Sequence, residues 1–270
     1  MSPLLRELAP VSAEAWEMVE EEAKRTLKLK LAARKLVDFR GPLGWDACAV
    51  GTGRVARLND APAERVQAHL REVQPLVELR VPFELSREEL DAVLRGAKDP
   101  VLDPVREAAG AAALAEDRAV FRGFSAAGIK GIAEEAAAAR LTLSDDYIVY
   151  PAVVAEAVNK LHLAGVEGPY GIALGPRCYT GLTKTTHGGF PVMEHVRRLL
   201  DGPLVWAPAV DGAVVLSLRG GDFELTVGQD FSIGYLEHTA SAVRLYLQES
   251  FTFRVLSAEA AVPLAYAQKS

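Results

Sequence analysis

Residues 243–255 carry the pattern that most constrains how this chain folds. Every second side chain is apolar, with one exception, and most of the intervening side chains are polar. The apolar positions are Val243, Leu245, Leu247, Phe251, Phe253 and Val255. Because successive side chains of a β-strand point to opposite faces, this period of two predicts a long strand with one apolar face. The exception, Glu249, is costly on such a face unless it is paired, and a structural partner such as an arginine is favoured over a general-acid role.

The composition is that of a globular protein rather than a disordered or fibrous one. Half of the 270 residues are apolar, 24% are charged, and the mean hydropathy is +0.10. The net charge of −6 and the lack of a strongly basic run argue against nucleic acid as a partner. No stretch approaches the roughly 18 apolar residues that a membrane span needs, so no membrane partner is expected.

The cysteines and the amino-terminal residues indicate the compartment. Cys48 and Cys178 stand alone and far apart, which fits a reducing cytoplasm better than a disulfide framework. Arg6 and Glu7 fall where a signal peptide would need an unbroken apolar run. We therefore expect a cytoplasmic protein.

The first regular element is an amphipathic helix over residues 12–37. Ser12 is a suitable N-cap residue, and apolar side chains then recur at steps of three or four. They are Trp16, Val19, Ala23, Leu27 and Leu31. Such a stripe needs a partner surface to cover it.

Residues 49–83 predict an extended arm. The pattern is strand-like over residues 50–58 and again over 73–83, with a polar tip at 59–64 between them. An isolated two-stranded hairpin is at best marginally stable in water. An arm of this kind therefore needs support from neighbouring chains or domains, which is the first indication of a homo-oligomer.

The remaining pattern mixes helices and strands. Ser86 begins a helix that stops at Gly96, and Pro104 begins an alanine-rich helix that runs to about residue 121. Further helices are predicted at 151–164 and 192–200, with a strand at 171–174. Gly220-Gly221 is expected to join strands 214–218 and 223–227 as a hairpin. The predicted fold class is α+β.

The residue types that carry chemistry do not form a recognisable motif. None of the five histidines has metal-ligand spacing to another, and no GxSxG, GxGxxG or GxxxxGK[ST] motif occurs. Cys178 with His187 or His195 would suit a nucleophile and its base, but a buried cysteine and a surface histidine are favoured. We predict no catalytic residue and no metal site, and hence a protein that is not an enzyme.

Several short segments together resemble one family. They are LLREL-AP (4–10), GPLGW (41–45), TGR (52–54), EDR..FRG (116–123), EGPY (167–170), RGGDF (219–223), GQD.SIGY (228–235) and VRLY..ESFTF (243–253). In this order, and over nearly the whole length, they resemble the family 1 encapsulins, the linocin-type shell proteins of bacterial nanocompartments. The resemblance implies a structural subunit of an icosahedral shell, whose smallest form holds about sixty copies.

The same resemblance implies the HK97-type phage-capsid fold. Residues 1–48 would form the N-terminal arm and helix, 49–83 the E-loop, and 84–136 the P-domain with its spine helix. Residues 137–222 would form the A-domain, and 223–270 the strands that return to the P-domain.

The resemblance also implies where the shell meets other molecules. Cargo enzymes, a dye-decolourising peroxidase or a ferritin-like iron-oxidising protein, would dock by a C-terminal targeting peptide. The matching positions in this chain are Arg34, Asp38, Asp230, Phe231 and Ile233. The five-fold pore would be lined by Thr183, Lys184, Thr185, Thr186, His187, Gly188 and Gly189, in a loop between two helices. Some encapsulins bind flavin through an exposed tryptophan, but the matching position here is Glu88, so no cofactor is expected.

Three other functions stay open at this point. A phage capsid protein would have the same fold, and portal and terminase genes beside its gene would identify it. A hydrolase using Cys178 or a histidine would be monomer-sized and would lose activity on substitution of that residue. A secreted antibacterial protein, the older description of the family, would inhibit growth as the pure protein.

Overall fold

The computed structural model describes residues 3–267 as two five-stranded sheets with helices packed around them and one projecting arm. The helices are α1 (Ala13–Lys30), α2 (Arg87–Leu94), α3 (Asp103–Arg122), α4 (Ile132–Glu135), α5 (Tyr150–Leu163), α6 (Pro176–Lys184) and α7 (Val192–Arg197). The strands are β1 (Asp38–Arg40), β2 (Ala49–Arg57), β3 (His69–Pro75), β4 (Val77–Ser86), β5 (Leu141–Leu143), β6 (Tyr170–Leu174), β7 (Thr186–His187), β8 (Phe190–Pro191), β9 (Leu204–Trp206), β10 (Ala213–Ser217), β11 (Phe223–Val227), β12 (Ser232–His238), β13 (Ala242–Val255) and β14 (Ala261–Tyr266). The predicted α+β class is confirmed.

The long alternating strand is the centre of the first sheet. β13 pairs with β4 along one edge, from Ala242 opposite Ser86 to Phe251 opposite Val77. Along its other edge it pairs first with β12 and then with β11, and β1 adds to β11 in parallel. The apolar face of β13 lies in the core, as the period of two predicts.

Helices α1 and α3 cover part of that face. The apolar stripe of α1 packs in one cluster with alanines of α3 and with Leu245 and Leu247 of β13. Ser12 caps α1 by accepting a hydrogen bond from the backbone N–H of Ala15 at 3.1 Å. Alanine on α3 lets the two helices approach closely, because its side chain ends at Cβ.

The first helix is shorter than predicted. It ends at Lys30 rather than at residue 37, and the chain then makes a single 3-10 turn and enters β1. The backbone N–H groups of Ala32 and Ala33 donate to the carboxylate of Asp117 on α3, at 2.9 and 2.8 Å. A partner on α3 therefore takes hydrogen bonds that helical carbonyls would otherwise accept.

The second sheet has the order β5-β14-β10-β6-β9. The predicted hairpin through Gly220-Gly221 is wrong, because β10 lies in this sheet and β11 lies in the first. Both edges of β10 are already paired, to β6 and β14, so it has no edge left for β11. The two glycines, with φ of 84° and 81°, instead carry the chain from one sheet to the other.

The final strand also departs from expectation. Residues 223–270 were expected to return as a whole to the P-domain, but β14 pairs with β10 and β5 in the second sheet. Its first four residues are buried and apolar, which suits an inner strand. The division into domains otherwise stays a prediction.

The arm is real but shorter than residues 49–83. β2 and β3 pair with each other and with no other strand among residues 3–267. The predicted second strand, 73–83, divides at Leu76, since residues from Val77 onward form β4 of the first sheet. Several apolar side chains of the arm are exposed: Val55, Leu58, Val66, Leu70 and Val73.

Candidate functional site

A groove of about 520 Å³ runs between α1 and β12. Its α1 wall is formed by Ala23, Leu27 and Leu31, which recur every four residues and so share one side of the helix. Ile233 and Phe231, the residue just before Ser232, form the β12 wall. The lining also includes Arg6, Glu20, Lys24, Lys28, Arg34, Asp230, Ser232 and Leu247. The groove therefore has apolar walls with charged groups at its margins.

Arg34 closes one end of the groove. Its guanidinium lies 4.8 Å from the ring centroid of Phe231 and 4.9 Å from that of Phe39, within cation–π range of both. It also forms salt bridges with three carboxylates. They are Glu116 at 2.5 Å, Asp230 at 2.8 Å and Glu249 at 3.2 Å. The predicted arginine partner of Glu249 is thus confirmed.

Two of those carboxyl groups are fully inside the protein. The side chain of Glu116 is 0% exposed and that of Glu249 is 1% exposed. Burial raises the pKa of Glu249 well above its ordinary value, and the negative charge of Glu116 raises it further. The pKa of nearby Asp117 is raised by burial to about 7, although the N–H groups of Ala33 and Ala32 oppose the shift. When Glu249 is protonated and neutral, the positive charge of Arg34 is balanced against fewer negative charges.

These pKa shifts predict how stability depends on pH. An acid whose pKa is higher in the folded state binds a proton that the unfolded chain has already released, so it stabilises the fold at low pH. For Asp117 this contribution is complete below 3.8 and is lost as pH rises through about 7. We expect thermal unfolding to occur at a higher temperature at about pH 5.5 than at about pH 8.

The matched variants are Asp117→Asn and Glu249→Gln, which keep the shape but cannot titrate. Each is expected to reduce the difference between the two melting temperatures. An unchanged pH dependence in both variants would contradict the assignment.

The structure brings together Arg34, Asp230, Phe231 and Ile233 of the predicted peptide site but leaves Asp38 outside. Asp38 lies at the start of β1, where its carboxylate accepts a hydrogen bond from the backbone N–H of Gly221 at 2.6 Å. It lines a separate, smaller cavity. Its position in the site is therefore corrected: it anchors the crossing between the two sheets.

Three residues of the α1 wall were not predicted as part of the site. Ala23, Leu27 and Leu31 were recognised only as an apolar stripe needing a partner surface. Their spacing of four was the available signal, because it put them on one side of the helix. Leu247 was recognised likewise only as part of the apolar face of β13.

Arg6 lies at the other end of the groove. Its guanidinium is 2.5 Å from the carboxylate of Glu20 and stacks 4.2 Å from the centroid of Trp16. Residues just before it lie along β12, where the carbonyl of Leu4 accepts a hydrogen bond from the N–H of Tyr235 at 2.9 Å.

The predicted pore residues lie far along the chain, in a hairpin rather than a flexible loop. Thr183 and Lys184 belong to the last turn of α6, and β7 and β8 pair across Gly188 and Gly189. The two glycines have φ of 60° and 84°, as a tight hairpin turn requires. The ring of His187 lies 6.2 Å from that of His195.

The remaining candidates for chemistry do not come together. The thiol of Cys178 is buried, which raises its pKa, and it contacts the Tyr266 hydroxyl at 3.2 Å. No hydrogen bond joins it to His187 or His195 among residues 3–267. The described part of the chain has no group of three potential metal ligands. Within the same residues, no helix has the length and apolar character to cross a bilayer.

Comparison with known proteins decides the family. The family model Linocin_M18, described as an encapsulating protein for peroxidase, matches residues 1–252. The type 1 encapsulin shell protein of Rhodospirillum rubrum is 57% identical over 270 residues, covering 98% of this chain and 96% of that protein. This chain belongs to the type 1 encapsulins.

Solved structures agree with the fold expected of an encapsulin. A virus-like particle from Pyrococcus furiosus has a TM-score of 0.66 at 16% identity, covering 93% of this chain and 99% of that one. The capsid of Myoviridae Phage XM1 has a TM-score of 0.52 at 11% identity, covering 83% and 88%. These likenesses show the HK97-type fold; that the arm of β2 and β3 is its E-loop and α3 its spine helix stays a prediction.

Proposed function

We propose that this encapsulin is the structural subunit of a closed shell and that its α1–β12 groove binds the C-terminal targeting peptide of a cargo enzyme. The proposal that the groove binds a peptide rests on the shape of the groove. The stripe of α1 faces β12 without filling the space between them, so apolar walls stay open to a ligand. An extended apolar peptide would cover those walls.

Assembly into a shell is supported by the E-loop. A two-stranded arm with exposed Val55 and Leu70 is poorly covered by its own subunit. Neighbouring copies of the chain would cover it, and closed symmetry would repeat the same contact in every copy. We propose about sixty copies, the smallest icosahedral number, and no catalytic role for the subunit.

The cargo would supply the chemistry. We propose a dye-decolourising peroxidase, in keeping with the family description, or a ferritin-like protein. The two isolated cysteines support a cytoplasmic compartment. We propose no flavin for the shell, because Glu88 presents a carboxylate at the exposed start of α2, where a flavin ring would need a flat apolar surface.

The β7–β8 hairpin is proposed to line the five-fold pore. Its side chains are exposed, and its turn contains only glycine. Lys184, Thr186 and His187 would present polar groups to a passing solute. Small solutes could then reach the cargo without opening the shell.

Phe231→Asp tests the groove. The change puts a carboxylate on an apolar wall, and Arg34, whose guanidinium already stacks on that side chain, offers it a partner within the subunit. We expect shells of normal size that package about tenfold less cargo, since a desolvated charge opposes an apolar peptide. The reporter is a fluorescent protein fused to the C-terminal peptide of a dye-decolourising peroxidase, quantified per shell after purification.

The control is Leu29→Asp, which likewise replaces an apolar side chain by a carboxylate but lies on α1. Leu29 is 67% exposed and lies outside the α1–β12 groove. We expect it to leave packaging unchanged. Normal packaging by the Phe231→Asp shell would remove the groove as the docking site.

A further inference from the structure

The edge of β12 that faces away from β13 carries backbone groups of Ile233 that have no partner among residues 3–267. In an antiparallel pair, successive residues alternate between bonding their partner strand and pointing away from it. Ser250 of β13 exchanges bonds with Gly228 and Gln229, on the side where β12 continues the same edge. Even-numbered residues of β13 therefore face β12, and their partners Ser232 and Gly234 face back.

By that alternation, the N–H and C=O of Ile233 and Tyr235 point away from β13. The N–H of Tyr235 confirms this direction, because it donates to the carbonyl of Leu4. The backbone of Ile233 has no hydrogen bond outside the β12–β13 pair among residues 3–267. Ile233 lines the groove but is only 4% exposed, so water reaches these two groups poorly. Buried backbone groups are rarely left unpaired in folded proteins.

The contact with Leu4 shows that this edge of β12 pairs with the backbone of another segment. Leu4 lies in a turn just before the 3-10 turn at Arg6, and its backbone carbonyl accepts the hydrogen bond from β12. Ile233 is two residues before Tyr235 on the same strand, about 7 Å away at the rise of an extended chain. A segment that paired with this edge at Ile233 would lie in the groove.

We propose that the cargo peptide binds by strand addition, pairing its backbone with the free N–H and C=O of Ile233 beside the segment that holds Leu4. This inference rests on the proposed function of the groove and adds its binding mode. The occupant is an extended peptide segment, because a helix has no free backbone groups to offer along its length. β12 is then no longer an edge strand at this point.

Strand addition also defines the side-chain pattern of the peptide. Alternate side chains of the added strand point to the same face, so every second residue faces Leu27, Leu31 and Leu247. Those residues are apolar, and the residues between them face away from the wall. A peptide with apolar residues at consecutive positions gains less binding free energy for each apolar residue, because only half of these residues reach the wall.

Ile233→Pro tests the backbone contact directly. Proline removes the N–H that points away from β13 and leaves the β12–β13 bonds in place, a substitution that edge strands tolerate. We expect assembled shells that package the peroxidase-extension reporter about tenfold less than the wild type, as when a hydrogen bond is removed and its buried partner left unpaired. Ile233→Val keeps the N–H and is expected to lower packaging by no more than about threefold.

The matched control is His238→Pro, on the same strand and outside the groove. Opposite Val243, it is also a residue whose N–H points away from β13. It is expected to package the reporter as the wild type does. Equal packaging by Ile233→Pro and Ile233→Val would overturn strand addition while leaving the groove as the site, whereas failure of the wild-type shell to package the reporter would overturn the proposed function.

Hydrogen exchange gives an independent measurement should proline disturb the fold. In wild-type shells loaded with the reporter, we expect the amide of Ile233 to exchange at least about tenfold more slowly than in empty shells. Docking through side chains alone would leave the exchange rate of this amide unchanged. Exchange at His238 serves as the internal reference, because it lies beyond the groove.

Discussion

A chain carrying Val55→Asp and Leu70→Asp is expected to stay folded but to remain a monomer. The two side chains are 55% and 60% exposed and lie on opposite faces of the β2–β3 arm, since Leu70 pairs with Ala56, the residue next to Val55. The subunit loses almost no buried area when they change. A neighbour that covers them would gain about 1.5–3 kcal/mol for each buried side chain, and a carboxylate in that position costs more than this gain. Because every subunit of a shell makes the same contact, the loss repeats at each interface.

Sedimentation velocity separates the two outcomes, with circular dichroism as the check on folding. The conservative pair Val55→Ile and Leu70→Met keeps the arm apolar and is expected to form full-size particles. If the double aspartate variant also sediments as a closed particle, the E-loop does not hold neighbouring subunits together.

Helices and strands that can be recognised from their own side-chain pattern, without knowing what packs against them, were predicted correctly. The alternation over residues 243–255 needs only one covered face, and β13 spans Ala242–Val255 as the centre of its sheet. The stripe of α1 likewise gave both the helix and, with hindsight, one wall of the groove. Each of these two patterns is local, because it lies within a single helix or a single strand.

Other features depend on residues distant in sequence. The first helix ends at Lys30 because Asp117, 85 residues after Ala32, accepts the next backbone hydrogen bonds. No glycine or proline marks that end. Gly220-Gly221 suggests a hairpin locally, but β10 already has two neighbours, and this is a property of the whole sheet.

The candidate site could be predicted only partly for the same reason. The resemblance supplied Arg34, Asp230, Phe231 and Ile233, which the fold brings together, and it also supplied Asp38, which instead holds Gly221. The Leu4 contact with β12 had no signal in the sequence, since it depends on which edge of the sheet is free.

The buried charges beneath the groove predict the largest effect on stability. Arg34→Leu removes the guanidinium that forms salt bridges with Glu116, Glu249 and Asp230. The two glutamates have almost no access to water, so water cannot replace the arginine. Removing one partner of a buried ion pair costs about 3–5 kcal/mol, and thermal unfolding of purified shells should begin about 10 °C lower. Arg34→Lys keeps the charge but not the fork of donors, and its melting temperature is expected to fall in between.

A compensated variant distinguishes unpaired charge from lost packing. When Arg34→Leu is combined with Glu116→Gln and Glu249→Gln, neither glutamine carries a charge that needs a cation. We expect this triple variant to recover most of the lost melting temperature, because neutral or apolar replacement of a whole buried ion cluster is often tolerated. If the triple variant is as unstable as Arg34→Leu alone, the contacts of the guanidinium with Phe39 and Phe231, rather than its charge, hold this region together. If Arg34→Leu itself melts like the wild type, the cluster contributes nothing to stability.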